Sequence, residues 1–180
     1  IAASTPELAD EFIKQMSNRF KIKDLGNPEY VIGIHIDYDR PKRTLKLNQK
    51  LYIETIAERF QQTKSKPVIH PASTDDVKIT KDMGSPSISK PLSEVSYTTL
   101  TRPDIAVIIS KLSTVLENPQ EAHWNAAIRV LRYLYTTRNK SLLYKPEGEI
   151  SRNNITGFTD STWNTEEKSR SRSGYVCLFN

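Results

Sequence analysis

The most informative segment of the chain is Arg129-Val130-Leu131-Arg132-Tyr133-Leu134, and His123-Trp124 lies a few residues ahead of it. Apolar residues recur through this region at helical spacing. They predict one apolar stripe, formed by Trp124, Ala127, Ile128, Leu131 and Tyr135. Arg129 and Arg132 fall outside that stripe, so the sequence predicts an amphipathic helix with a basic side.

A second apolar stripe runs ahead of this helix. Pro103-Asp104 is a helix start, because proline fits the first turn and an acid there faces the positive end of the helix dipole. The stripe that follows consists of Ile105, Ile108, Ile109, Leu112 and Leu116. Asn118-Pro119 then ends one helix and starts the next, with Asn118 as the predicted cap. We expect two antiparallel helices that bury their stripes against each other.

The first sixty residues predict a helix, a β-hairpin and a second helix. Thr5-Pro6-Glu7 opens a helix over about residues 6–19. Residues 30–38 are rich in β-branched and aromatic side chains, and residues 44–49 alternate apolar with polar ones, so the two runs predict paired strands. Residues 51–60 return to helical spacing.

The remaining segments are less regular. Residues 61–96 contain four prolines and many Ser, Thr, Asp and Lys residues, which predicts a connector. Near the C-terminus, short strands are predicted at residues 142–144, 155–163 and 174–179. Helices and strands that follow each other in separate runs place the chain in the α+β class.

Charge favours a polyanionic partner. The 26 Lys and Arg residues exceed the 21 Asp and Glu residues, which gives a net charge of +5 and an isoelectric point near 9.2. Two tracts, at 122–146 and 40–53, each hold five basic residues and no acid. Unopposed tracts of this kind indicate a surface that faces phosphates. The alternative interpretation is two solvated faces.

Several function classes are disfavoured by composition. The single cysteine, Cys177, excludes an internal disulfide framework and a cysteine-rich zinc site, and favours a reducing compartment. The three histidines lack metal-ligand spacing. No apolar run reaches the ~20 residues of a membrane span, and no signal-peptide pattern opens the chain. We interpret the initial Ile and the apolar final run as cut ends.

Six segments, in this order, resemble the C-terminal part of the reverse transcriptase region of Ty1/copia-type retrotransposons. They lie at residues 20–26, 30–36, 47–53, 101–105, 123–134 and 157–163 with 171–176. The resemblance implies that residues 1–60 are the end of the palm with the primer-holding hairpin and that 61–100 are a connector. It further implies that 101–140 form a thumb-like helical pair and that 141–180 are the truncated first hairpin of an RNase H-like domain.

The same resemblance assigns a catalytic role to one residue. Asp160, in Gly157-Phe158-Thr159-Asp160-Ser161-Thr162-Trp163, is similar to the first aspartate of the RNase H site, which binds Mg²⁺ in the intact parent enzyme. A two-metal site needs several converging carboxylates, whereas position 162 is a threonine here. The paired polymerase aspartates would precede residue 1, and Asp75-Asp76 in the polar connector is not a substitute. We expect this fragment to be inactive alone and to need no cofactor.

A nucleic-acid partner follows from the same resemblance. Arg129, Arg132, Arg138 and Lys140 are expected to contact phosphates. Gly33 would let the backbone approach the primer strand, and Tyr30 and His35 would pack on sugar or base. The expected partners are an RNA–DNA hybrid or duplex and the rest of the Pol polyprotein, with no membrane. An intracellular, particle-associated location in cytoplasm or nucleus is implied. The alternatives are a non-catalytic basic nucleic-acid-binding module and a decayed retroelement remnant.

Overall fold

The computed structural model describes residues 3–23, 25–73, 90–116, 119–146, 155–166 and 170–179. The helices in these ranges are α1 (Pro6–Arg19), α2 (Lys50–Arg59), α3 (Lys90–Tyr97), α4 (Ala106–Ser113) and α5 (Glu121–Thr136). The strands are β1 (Tyr30–Val31), β2 (Ile34–Asp39), β3 (Thr44–Asn48), β4 (Leu142–Tyr144), β5 (Ile155–Glu166) and β6 (Arg170–Phe179). They form an antiparallel sheet in the order β1-β2-β3-β4 and a separate β5-β6 hairpin. The predicted α+β class is confirmed.

The predicted hairpin is present, but its first strand is folded on itself. Ile32 and Gly33 have φ angles of +49° and +70° and form a two-residue turn, which pairs β1 with the start of β2. Two successive left-handed residues are the signature of the type I′ turn, whose twist suits a tight hairpin. The prediction of one continuous strand over residues 30–38 is therefore wrong at its start. Pairing of β2 with β3 is confirmed.

The core forms around α5, not between α4 and α5 alone. Helix α5 packs against α2 and α3, and α3 in turn packs against α4. The two predicted stripes lie in one core, but the prediction missed α3, which packs against both helices. Helix α3 lies within residues that were interpreted as a connector, and its Val95 is fully buried. The fully buried side chains around it include Ile53, Ile56, Leu131 and Leu134. At ~1.5–3 kcal/mol per fully buried aliphatic side chain, this cluster is the main source of stability.

The buried face of α5 is rotated from the predicted stripe. Ala127 and Leu131 are buried as predicted, whereas Trp124, Ile128 and Tyr135 are only half-buried. The centre of the face is completed by Ala126, Val130 and Leu134. Because α2 and α3 both pack on α5, they cover a wider arc of its surface than a single helix would. Residues beside the predicted stripe are therefore buried as well. The ring of Trp124 packs edge-on against Phe60, with centroids 6.0 Å apart.

The turn between α4 and α5 also differs from expectation. Helix α4 ends at Ser113, so Val115 points inward and Leu116 stays exposed. Helix α5 begins at Glu121, and the backbone N–H of Gln120 donates to Nδ1 of His123 at 3.0 Å. The cap residue of α5 is therefore Gln120 and not the predicted Asn118, which lies outside the described residues.

A buried arginine joins the start of α4 to the end of α5. Arg102 is 2% exposed, and its Nε and Nη2 donate to the Asp104 carboxylate at 3.0 and 2.8 Å. Its Nη1 donates to the Thr137 carbonyl at 3.2 Å, and the Tyr133 hydroxyl donates to the same carboxylate. Burial raises the pKa of Asp104, but the hydrogen bonds from Arg102 and Tyr133 and the charge of Arg102 outweigh it, so the pKa lies below its ordinary value. The Thr101-Arg102-Pro103-Asp104 run therefore stabilises the packing of the two helix ends.

The C-terminal strands divide between the two sheets. Strand β4 pairs with β3 through Leu45↔Tyr144 and Leu47↔Leu142, so it joins the sheet of the hairpin although the predicted boundary was at 141. Strands β5 and β6 pair with each other, with Asp160 opposite Gly174. Both strands were predicted, and they are longer than expected.

Residues 74–89, with Asp75 and Asp76, lie outside the described part of the chain. The last part of the predicted connector is helical, since α3 and a 3-10 turn at Thr98–Leu100 occupy it. Within the described ranges, no helix has both the length and the apolar character of a membrane span.

Candidate nucleic-acid interface

A groove lies between α5 and the extended segment 66–70. Its walls are formed by Lys66, Pro67, Val68, Ile69, His70, Arg129 and Arg132, and its volume is about 330 Å³. Arg129 and Arg132 are three residues apart on α5, so they project from the same side of the helix. Two predicted phosphate-binding residues are thus brought together in one place.

The wall opposite the helix is held by specific contacts. Arg132 Nη2 donates to the Lys66 carbonyl at 3.1 Å, and the backbone N–H of Val68 donates to Thr136 Oγ1 at 3.2 Å. Val68 and Ala72 pack against the hydrophobic core. A segment that reads as a connector is therefore fixed against α5, and it brings Lys66 and His70 to the groove.

The chemistry of the groove suits an anion. Among the described residues that line it, two arginines and one lysine carry positive charge and none is acidic. A guanidinium presents several N–H donors in one plane, which matches the oxygens of a phosphate. Both arginines are half-buried, so part of each side chain is already ordered. The groove can hold a phosphate group without reading a base.

Arg138 and Lys140 occupy different surroundings. Arg138 Nε donates to Glu54 Oε1 at 3.0 Å, and its guanidinium lies 4.4 Å from the ring centroid of Tyr135. The Glu54 carboxylate therefore neutralises this arginine, although the two residues are far apart in the sequence. Lys140 is exposed, with its Nζ 5.9 Å from the Tyr133 ring centroid. Neither residue lines the groove.

The second basic tract, at residues 40–53, is partly neutralised across the hairpin. Lys42 pairs with Asp39 at 2.9 Å and Lys46 with Asp37 at 3.4 Å. The hydrogen bond from Lys42 lowers the pKa of the Asp39 carboxyl and raises that of the lysine. Two of the five basic residues of the tract are therefore paired with acids of β2, which the tract itself lacks.

Gly33 and His35 lie at the folded end of the hairpin. Gly33 occupies the turn, and an added Cβ there would meet no atom within 4 Å. The His35 ring lies 4.9 Å from the Tyr30 ring, and its Nδ1 is 3.1 Å from the amide nitrogen of Asn48. Tyr30 remains 55% exposed. The structure thus places an aromatic ring beside the tight turn, at an exposed edge of the sheet.

Asp160 lies on the exposed β5–β6 hairpin. It lines a shallow depression with Thr159, Ser161, Ser173, Gly174 and Tyr175. In the described part of the chain, no three His, Cys, Asp or Glu residues are grouped as metal ligands. Hydroxyls around one carboxylate do not make the set of oxygens that a two-magnesium site requires. These surroundings do not fit the metal pair, and the role of Asp160 stays a prediction.

Two features of the interface were not predicted from the sequence. Lys66 and His70 stand in a stretch that lacks periodicity, and only the docking of that stretch on α5 reveals them. The hydroxyl of Tyr97 donates to the carbonyl of Ile32, 65 positions away, at the hairpin turn. Local sequence carries no signal for either contact.

Fold and groove together define a basic α+β chain with an arginine-lined surface suited to polyanions. Comparison with known proteins gives a more specific class. The chain is 32% identical over 177 residues to the retrovirus-related Pol polyprotein from transposon TNT 1-94 of Nicotiana tabacum, covering 91% of the chain and 13% of the polyprotein.

Two polyproteins of Arabidopsis thaliana are also similar. Those from transposons RE2 and RE1 are each 28% identical, over 169 and 183 residues, and cover 91% and 98% of the chain. The chain spans only 11% and 12% of their lengths. No protein-family model and no solved structure matches the chain. The chain is a relative of the retrovirus-related Pol polyproteins of Ty1/copia-type transposons and corresponds to a short segment of them.

Proposed function

We propose that the chain is the end of the reverse transcriptase region, with the start of an RNase H-like domain, in a retrotransposon Pol polyprotein. Its own contribution is to hold the backbone of a nucleic-acid duplex. The β1–β3 sheet would be the primer-holding hairpin, α4 and α5 would belong to the thumb, and β5–β6 would open the RNase H-like domain. The relatives' names and the order of the resembling segments support this proposal.

One observation carries the binding role: Arg129 and Arg132 of α5 face Lys66 and His70 across a single open groove. Phosphates of a duplex carry closely spaced negative charge with condensed counterions. Binding at the groove would release some of these ions, and so give affinity that falls with salt and depends little on base sequence. Gly33 and His35 would form a second contact, at the hairpin.

Catalysis is assigned to the parent polyprotein, not to this segment alone. Mg²⁺ in the intact enzyme would supply charge neutralisation at the scissile phosphate, and Asp160 would join its ligands only together with acids from other parts of the polyprotein. The expected partners are an RNA–DNA hybrid and the remainder of the polyprotein, in an intracellular, particle-associated setting. The second candidate function is that of a non-catalytic binding module. The groove supports this function as well as the first, because neither its arginines nor its lysine require a metal to bind phosphate.

The binding role is tested by fluorescence anisotropy with a labelled RNA–DNA hybrid over a series of KCl concentrations. Arg129→Gln with Arg132→Gln removes two charges and keeps amide donors near the Lys66 carbonyl. We expect affinity to fall about tenfold or more, and the salt slope to fall by about two.

The matched control is Lys42→Ala with Lys46→Ala, which also removes two charges, but at residues already paired with Asp39 and Asp37. Its effect should be several-fold smaller. Equal losses for both double variants would show that only net charge matters and would overturn the assignment of the groove. Thermal melting of each variant confirms that the fold is retained, and binding without magnesium separates it from catalysis.

A further inference from the structure

The tip of the hairpin contains an unfavourable residue. Ile32 has a φ of +49°, a left-handed conformation in which the Cβ of an L-residue crowds the following carbonyl oxygen. For a β-branched side chain this is a genuine outlier, and turns of this type favour Asn, Asp or Gly at that position. The side chain is also 80% exposed, so burial does not compensate for the strain.

Helix α3 supplies the contact that holds this turn. The Tyr97 hydroxyl donates to the carbonyl of Ile32. The Tyr97 ring packs edge-on against Tyr52, with centroids 5.2 Å apart, and the Tyr52 hydroxyl donates to the Glu94 carbonyl at 3.1 Å. The ring of Tyr52, which phenylalanine would retain, is the contact that orients Tyr97. The Tyr97 oxygen thus reaches the hairpin from the helical part of the chain.

The turn determines what the hairpin exposes. Tyr30 and Val31 precede it, and they are 55% and 43% exposed. Their register against His35 and Ile34 depends on a two-residue loop, because a longer or shorter loop would shift the strands and reverse the faces of their side chains. Strained residues persist only where the surrounding structure holds them, and they cluster at active sites and ligand-binding segments.

We propose that Tyr97 is a positioning residue, which fixes the Ile32–Gly33 turn so that Tyr30 and its neighbours meet the sugar and base surface of a bound nucleic acid. This inference rests on the proposed function. It adds that a long-range contact between α3 and the hairpin lets the position of the helices set the position of the hairpin tip.

The variant Tyr97→Phe removes only the hydroxyl. Tyr52→Phe is the matched control, since it also removes a tyrosine hydroxyl bound to a backbone carbonyl in the same cluster, but not at the turn. Backbone chemical shifts and amide exchange at Ile32 and Gly33 report the turn directly. We expect both to change in Tyr97→Phe and to stay unchanged in Tyr52→Phe.

Binding to the labelled RNA–DNA hybrid gives the functional measurement. Tyr97→Phe should weaken binding about threefold to tenfold, with a thermal midpoint no lower than that of Tyr52→Phe. In an Ile32→Gly background the loss should shrink, because glycine adopts a positive φ without support. This non-additivity distinguishes a positioning role from general destabilisation.

Unchanged shifts at the turn in Tyr97→Phe, or an affinity loss equal to that of Tyr52→Phe, would overturn the proposal. Failure of the unaltered chain to bind the hybrid would instead remove the proposed function and, with it, the recognition role of the tip. The chemical shifts would then still decide whether Tyr97 fixes the turn, so the two failures can be told apart.

Discussion

Arg138 and Glu54 are joined by a hydrogen bond of 3.0 Å from Nε to Oε1, although 84 positions separate them. The pair ties the turn after α5 to α2. Both side chains are about a third exposed, at 32% and 30%. An arginine that the sequence assigns to phosphate binding is thus already committed to a carboxylate.

We expect Arg138→Ala to lower the free energy of unfolding by about 1 kcal/mol, through loss of a partly exposed ion pair and of the contact with Tyr135. Denaturant unfolding measures this, and a double-mutant cycle with Glu54→Gln isolates the pair. The affinity of Arg138→Ala for an RNA–DNA hybrid should fall less than the affinity of Arg129→Gln. Equal losses of affinity would show that Arg138 also contacts the nucleic acid.

Asp104 gives the fold a dependence on acid pH. Its pKa is lower in the folded chain than in the unfolded one, so its contribution is present above the unfolded pKa of about 4 and is lost as pH falls through the folded pKa. We expect the thermal midpoint to drop between about pH 5 and pH 3, and to drop less steeply in Asp104→Asn. Parallel pH profiles would contradict the role of this carboxylate.

Leu131 tests the arrangement of helices around α5. It is fully buried, so Leu131→Ala should cost about 2–5 kcal/mol of unfolding free energy. Leu8→Ala is the control, because Leu8 in α1 is 51% exposed and such changes usually stay within ~0.5 kcal/mol. Similar effects at the two positions would mean that α5 does not occupy the centre of the core.

Lys66 tests the groove from its other wall. If it contacts a phosphate, Lys66→Ala should lower the salt slope of hybrid binding by about one and leave base preference unchanged. Lys140→Ala makes the same charge change at a site outside the groove. A slope loss at Lys140 would extend the interface to the end of α5, whereas no loss at Lys66 would exclude segment 66–70 from it.

Prediction succeeded where local patterns act alone. The start of α1 follows from proline at the first position and an acid in the first turn, and the two C-terminal strands follow from the change to alternating residues. It failed at α3, because an eight-residue helix with a single fully buried apolar side chain among its described residues, Val95, has too weak a period to stand out from its neighbours.

The candidate interface shows the same division. Arg129 and Arg132 were predicted because a basic helix face is visible in a short window. Lys66 and His70, on the other wall of the groove, were not predicted. Segment 66–70 packs against α5 because Arg132 donates to the Lys66 carbonyl and Val68 packs against the core. Contacts between residues that are distant in the sequence produce no periodic pattern of side chains from which they could be predicted.

The α+β class, the basic side of α5 and the similarity to retrotransposon polyproteins all follow from the amino-acid sequence, because each depends on residue order over short spans. The tertiary structure shows where these cations lie. Arg138, Lys42 and Lys46 lie beside carboxylates, whereas Arg129, Arg132 and Lys66 line one groove, whose described lining residues include no acid. Charge acts through space, and only folding sets which opposite charges come within a few ångströms.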